Sequence, residues 1–421
     1  MFFEKPPRAS TATGHSSPGW CQRGLRSLLA SVLPGCASAT RSGALPQAYA
    51  DAATPAGIEN ARYWLDTDIE QFVRSALNDL HRAGVRVGDD TSHLDPVQVL
   101  AISGGGENGA FAAGLLSGWT AHGDRPQFRV VTGISAGALI APFAFLGPSH
   151  DGALREATLA FGRQGIFRSR GIFGLASDGF ADNRPALRFV ARYVTPQMLQ
   201  AIATEYRKGR ALMIGTTELD SGRAATWNMG AIAASGSPQA LRLFRQVMVA
   251  SASIPGAVSP VMIDVHAAGH RFQEMHVDGG VSTQVFAYPT AMQAVMQRLG
   301  QGPYRGRVQL YVVLNGRVTP DWTATPRQSL AIGGRALRIL LQRQAINDLE
   351  RIYRTAHQDG ADYNLAYIGP EFHYPRHKRF DEGYMHDLFD HGYRSATQGD
   401  PWQKCPEGWT VQPHTVSQAL L

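Results

Sequence analysis

An α/β fold is predicted by two glycine-framed turns, by the runs that flank them, and by apolar strands further along the chain. The turns are Ser103-Gly104-Gly105-Gly106-Glu107-Asn108-Gly109 and Gly133-Ile134-Ser135-Ala136-Gly137. Each follows an apolar run (residues 97–102 and 128–132) and precedes a helix-like one (residues 110–119 and 138–146). Strand, tight turn and helix is the implied geometry, twice over, at about the spacing of one βαβ unit. Residues 211–217 and 307–314 are further apolar strands, so the alternation continues.

The second turn has the form G-x-S-x-G. Glycines flanking a serine remove Cβ atoms where the chain doubles back, which holds the serine in a strained conformation with its hydroxyl exposed above the sheet. Ser135 is therefore the candidate nucleophile, with Gly133 and Gly137 shaping its turn. The first turn suits another task. Backbone N–H groups of Gly104, Gly105 and Gly106, at the start of a helix, are placed to meet developing negative charge on a carbonyl oxygen.

Other readings of the same glycines are weaker. Gly104-x-Gly106-x-x-Gly109 matches a dinucleotide fingerprint, but the next strand ends in Thr132-Gly133 without the acidic residue that would hold a ribose, and Asp124 lies before it. No Lys-Ser or Lys-Thr follows the glycines, which argues against a phosphate-binding P-loop.

A serine needs a base. His266, His270 and His276 cluster late in the chain, while His386 and His391 stand beside charged residues in a segment that reads as a solvent-facing helix. Asp278, in Met275-His276-Val277-Asp278-Gly279-Gly280, is a carboxylate at a strand end, and the two glycines after it let another loop approach closely. Taken alone, Asp278-Gly279 is an ordinary turn dipeptide. An exposed aspartate titrates at about 3.9, so a basic Asp278 requires burial, to which the apolar neighbours Val277 and Val281 are expected to contribute.

The ordered set Gly104-Gly105-Gly106-x-x-Gly109, Gly133-x-Ser135-x-Gly137 and Asp278-Gly279-Gly280 resembles the patatin-like phospholipase family, over roughly residues 95–320. Ala250-Ser251-Ala252-Ser253-Ile254-Pro255-Gly256 is similar to the small-residue segment these enzymes carry between their serine and aspartate. The resemblance implies a three-layer α/β/α fold with a mostly parallel sheet. It also implies a Ser135–Asp278 dyad without histidine, an oxyanion hole at Gly104–Gly106, and hydrolysis of lipid acyl esters without a cofactor. In one respect the chain departs from the pattern: Asn108 stands where the family's turn usually carries Arg or Lys, and Glu107 beside it makes the local field more negative. Acyl ester hydrolysis is the expectation; no headgroup is assigned. An acyltransferase using the same dyad, or a lipid-binding protein without catalysis, would fit the same residues.

Composition agrees with a globular enzyme. Of 421 residues 44% are hydrophobic and 18% charged, enough for one large or two modest domains. The net charge of +6 is carried by arginine, since Lys5, Lys208, Lys378 and Lys404 are the only lysines. The arginines are scattered apart from short groups such as Arg163-Arg168-Arg170 and Arg335-Arg338-Arg343, with no aromatic-interleaved stripe or reader motif, so nucleic acid is not the expected partner. Weak attraction to an anionic lipid surface fits better. Cys21, Cys36 and Cys405 suit neither a disulfide framework nor a metal site, and no metal is expected. Oligomeric state is left unassigned.

The segment Arg23-Gly24-Leu25-Arg26, then Ser27-Leu28-Leu29-Ala30-Ser31-Val32-Leu33, then Pro34-Gly35-Cys36 resembles a bacterial lipoprotein signal. On that reading the protein is exported and lipidated at Cys36; otherwise residues 1–57 are a tail and linker in a cytoplasmic protein. Residues 58–95 read as a helical lead-in, with Trp64, Ile69, Phe72, Val73, Leu77 and Leu80 at amphipathic spacing. The catalytic core is expected at 96–320, with a glycine-rich stretch from Phe167 to Asp182 as a cover for an acyl pocket. Residues 321–421 read as a helical extension packed on the core, with roughly the last twenty loose. In it the stripe Leu330, Leu337, Leu340, Leu341, Ile346, Leu349 and Ile352 is expected to be core packing rather than a membrane face, and 380–393 a final helix.

Overall fold

The computed structural model describes residues 41, 43–84, 96–163, 168–169, 181–289, 292–298, 307–320, 322–375 and 379–406. Cys21, Cys36, the signal-like segment, the final fifteen residues and all but the ends of the 167–182 stretch lie outside them. Residues 41–421 form one compact unit.

In chain order the strands are β1 (Thr54–Pro55), β2 (Arg62–Trp64), β3 (Val97–Ile102), β4 (Val130–Ile134), β5 (Arg168–Ser169) and β6 (Ala181–Asp182). They continue with β7 (Ala211–Glu218), β8 (Arg223–Asn228), β9 (Val261–Ala267), β10 (His270–Asp278), β11 (Val308–Leu314) and β12 (Asp362–Tyr367). The helices are α1 (Ile69–Arg82), α2 (Gly109–His122), α3 (Ala136–Leu146), α4 (Asp151–Arg163), α5 (Arg184–Tyr193) and α6 (Pro196–Arg207), followed by α7 (Met229–Ala234), α8 (Ala240–Ser251), α9 (Met292–Arg298), α10 (Ser329–Gln358) and α11 (Glu382–Gln398).

The main sheet runs β1-β9-β10-β7-β4-β3-β11-β12, with β8 and then β2 joined to β7. Its centre, β7-β4-β3-β11-β12, is parallel; β1, β2, β8, β9 and β10 are antiparallel additions. The fold is mixed α/β, a central mostly parallel sheet flanked by helices. Side chains alternate across a strand, so a sheet covered on both faces is apolar on both. In β3, Leu100 and Ile102 pack with α2, α3 and α11, whereas Val99 and Ala101 pack with α10. In β7, Leu212 and Ile214 face the first layer, while Ala211 and Met213 meet α1 and α9. The result is three layers.

Register along β7 is what brings the distant motifs together. β8 occupies one edge of β7 from Met213 to Glu218, and β4 and β10 take successive stretches of the other. Ile134, the last residue of β4, lies opposite Gly215, and Asp278, the last of β10, opposite Thr216. The two strands meet end to end, and the residues that leave them face each other.

Two expectations need correcting. Trp64 is not on a lead-in helix: it lies in β2, buried beside the Arg62 and Arg223 guanidinium groups, and the helix begins only at Ile69. The stripe of α10 is core only in part. Leu349 and Ile352 are buried, but Leu330, Leu337 and Leu340 are exposed. The predicted final helix is present as α11 and crosses α2 closely, because Gly114, Gly118 and Gly392 have no Cβ to collide with the facing backbone at Phe389, Tyr393 and Phe111.

Candidate active site

Ser135 sits between β4 and α3 with φ 53° and ψ −118°, a left-handed conformation that costs a non-glycine residue roughly 1–3 kcal/mol. Close packing enforces the turn. A Cβ on Gly133 would lie 2.5 Å from Gly137 O, and one on Gly137 would strike the carbonyl of Ile102 at the end of β3. The Ser135 N–H donates to Ser251 Oγ (2.9 Å), whose own hydroxyl donates to Gly215 O (2.6 Å). Ser251 thus pins the turn to β7.

The hydroxyl of Ser135 donates to Asp278 Oδ2 at 2.6 Å, both residues being buried. The other carboxylate oxygen accepts from Gly280 N (2.7 Å), and Asp278 N donates to Ser253 O (2.9 Å). Burial pushes the Asp278 carboxyl up to about 6, against the opposing pull of the hydrogen bonds from Ser135 and Gly280. Val277 is fully buried beside it, but Val281 is 45% exposed and takes no part.

The glycine turn lies against this pair. Gly104 N donates to Gln284 O (3.0 Å), so its amide is committed to holding the loop. Gly105 and Gly106 remain as the amides of the turn with no acceptor among the described residues, and the short helix Gly106–Asn108 leads directly into α2. Asn315, at the end of β11, braces the turn from behind: its side chain donates to Ser103 O (2.9 Å) and accepts from Ala112 N (3.2 Å). Gln284 ties the turn to the aspartate loop, since its amide donates to Gly280 O (2.8 Å), and its own N–H donates to Asp348 of α10 (2.7 Å). Glu107 accepts from Phe380 N, and Asn108 accepts from the Tyr384 hydroxyl (2.7 Å). Asn108, where the family's turn usually carries a cation, holds the C-terminal segment.

The histidines lie elsewhere. His276 is fully buried in a chain that runs from Trp227 through Thr216, His276 and Glu274 to Arg62. His266 and His270 are exposed. His386 is partly exposed near Glu382. His391, expected at the surface, is instead packed between Phe111 and Phe372, and burial lowers its pKa. None bonds to Ser135 or Asp278. Among the described residues no group of three or more His, Cys, Asp and Glu could hold a metal ion.

A cavity of about 680 Å³ opens beside Ser135, within the usual size of a ligand pocket. Leu139 and Phe143 of α3, Leu154 and Phe161 of α4, and Phe189 and Val190 of α5 line it, together with Met248 and Ile254. Its roof comes from the C-terminal segment: Arg379, Phe380 and Met385. Phe380, at φ 58°, packs against Phe161 with ring centroids 5.4 Å apart and planes tilted by 54°. Arg379 is the one charged residue among the described lining. The structure brings together Ser135, Asp278 and the glycines that the sequence singled out; Gln284, Asn315, Asp348, Arg379 and Phe380 join them, and no local motif marks these.

A serine on a strand-to-helix elbow, hydrogen-bonded to a buried carboxylate beside free glycine amides and an apolar pocket, defines a class of acyl-transfer site. The chain carries a patatin-like phospholipase domain, whose family model matches residues 100–290. That match spans every motif of the site and implies a lipid acyl hydrolase. Among solved structures the chain is similar to the crystal structure of VipD from Legionella pneumophila, at 11% identity over 73% of this chain and 68% of that one, with a TM-score of 0.28. No curated protein matches.

Proposed function

We propose that the protein is a serine hydrolase that cleaves acyl esters of lipids through Ser135 and Asp278, in the manner of a phospholipase A. The 2.6 Å hydrogen bond from Ser135 to a carboxylate made basic by burial carries this reading. A base titrating near 6 is largely ionised at neutral pH and still able to accept a proton. As Ser135 Oγ attacks the ester carbonyl, its proton passes to Asp278, and the tetrahedral oxyanion is met by the amides of Gly105 and Gly106. Collapse expels the alcohol, which takes the proton back from Asp278, and leaves an acyl-enzyme. Water, deprotonated by the same carboxylate, then releases the fatty acid. The apolar cavity holds the acyl chain.

The test is turnover of short and long p-nitrophenyl esters, phospholipid and neutral lipid by wild type, Ser135→Ala and Asp278→Asn. Loss of turnover in both variants is expected, with fluorophosphonate labelling lost in Ser135→Ala. Full esterase activity in Ser135→Ala would overturn the assignment, and an acyl acceptor that diverts product from free acid would make the enzyme a transferase. Export with lipidation at Cys36 belongs to the same proposal and is checked by mass spectrometry of the membrane fraction.

A further inference from the structure

The crossover helix α10 is longer than the strands it connects. Its 30 residues extend about 45 Å, whereas β11 and β12, with seven and six residues, extend roughly 20 Å. β11 and β12 are parallel, so α10 runs back along the sheet from the carboxyl ends of the strands to their amino ends. All of its buried residues, from Ala345 to Ala356, lie in the C-terminal half, which suffices to cover that distance. Asp348 is level with the site through its bond to Gln284 N, and Gln342 bonds to Arg317 O and Thr319 O just beyond the end of β11. The turns before Gln342 therefore project past the sheet at the end where Ser135 lies.

This overhang is apolar and exposed. Trp322 is 87% exposed and Leu330 76%, and Ile332, Leu337, Ile339 and Leu340 are exposed with them. No acidic residue occurs from Trp322 to Asn347, while Arg327, Arg335, Arg338 and Arg343 do. Arg327, Arg338 and Arg343 are exposed and make no ion pair among the described residues. A second copy docked across a two-fold axis would set this cationic surface against itself. An anionic bilayer supplies what the surface lacks: acyl chains for the leucines and isoleucines, an interface for the tryptophan, and phosphates for the arginines.

We propose that the projecting half of α10, with Trp322, is a docking surface for anionic lipid bilayers that seats the catalytic end of the molecule on the membrane. Docking needs no turnover, so it is measured apart from the hydrolase reading.

The experiment is co-sedimentation of the full chain, as wild type and as Ser135→Ala, with vesicles of phosphatidylcholine alone or with phosphatidylglycerol. Binding is expected to favour the anionic vesicles at least tenfold and to be weakened by salt. Arg338→Gln with Arg343→Gln should cut anionic binding by roughly 25-fold. Leu337→Gln with Leu340→Gln should weaken binding to both vesicle types. The arginine and leucine variants, made with Ser135 in place, should hydrolyse a soluble short-chain ester as wild type does. Equal binding to the two vesicle types, variants that bind like wild type, or a dimer that the leucine variant disperses would each overturn the proposal. Vesicle binding by a protein that hydrolyses no ester would leave docking standing and remove the hydrolase.

Discussion

Replacing Asp278 by Asn should make the protein more stable while disabling it. The carboxyl of Asp278 titrates at about 6 when folded, against 3.8 for the free side chain, because burial penalises its charged form. The sign follows from which state holds the proton. As pH rises past 4, the unfolded chain gives up its proton while the folded one keeps it until about 6, so stability falls across that window. At 1.36 kcal/mol per unit, the gap of roughly two units amounts to about 3 kcal/mol lost by neutral pH. Asn imitates the protonated acid: its oxygen can accept from Gly280 N and its amide can donate to Ser135 Oγ, the two contacts of the native residue. Denaturant unfolding of both proteins between pH 4 and 8 gives the measurement. Wild type should lose stability relative to the variant from pH 4 to 6, and at pH 8 the variant should be ahead by up to about 3 kcal/mol. Parallel pH profiles, or a variant less stable at pH 8, would refute the claim that burial strains Asp278. Catalysis in the variant should drop about 10²- to 10⁴-fold, the usual contribution of a general base.

Three further outcomes are expected. For wild type, kcat/KM on a soluble ester should rise about tenfold per pH unit below 6 and level off above it, as ionised Asp278 becomes available; a profile flat from pH 4.5 to 7 would exclude it as the base. Gly133→Ala puts a Cβ 2.5 Å from Gly137 O, so the elbow must open by about 1 Å to reach ordinary contact, and kcat should fall roughly 100-fold; far-UV circular dichroism checks that the fold survives. Arg379→Ala should raise KM roughly two- to fivefold for esters bearing a negative charge near the scissile bond and leave uncharged esters unchanged, read from paired substrates of equal chain length.

The parts of the site that were legible in the sequence are those whose physics is local. A serine between glycines, or an aspartate before two of them, states its own backbone requirement within a few residues. The sheet's alternation was legible for the same reason, since apolar runs between turns need no knowledge of what packs on them. The braces were not legible. Gln284 and Asp348 are 64 residues apart, Ser103 and Asn315 are 212 apart, and Glu107 and Phe380 are 273 apart. A lone Gln or Asn carries no signature until a partner is folded against it. The stripe of α10 misled because periodicity reports a face without reporting how far the sheet beneath it extends. Trp64 misled because a short buried strand next to a helix shares that helix's apolar spacing.

The match to the family model ends at residue 290, yet the pocket does not. Its roof and the outer clamp on the glycine turn, Arg379, Phe380 and the Glu107 and Tyr384 contacts, come from the far end of the chain. The walls of the cavity share a stretch of sequence with Ser135 and Asp278, while its roof is written elsewhere. A change in the last hundred residues would thus reach the site twice over, reshaping the roof of the cavity and loosening the hold that Asp348, Phe380 and Tyr384 keep on the loops around Ser135 and Asp278.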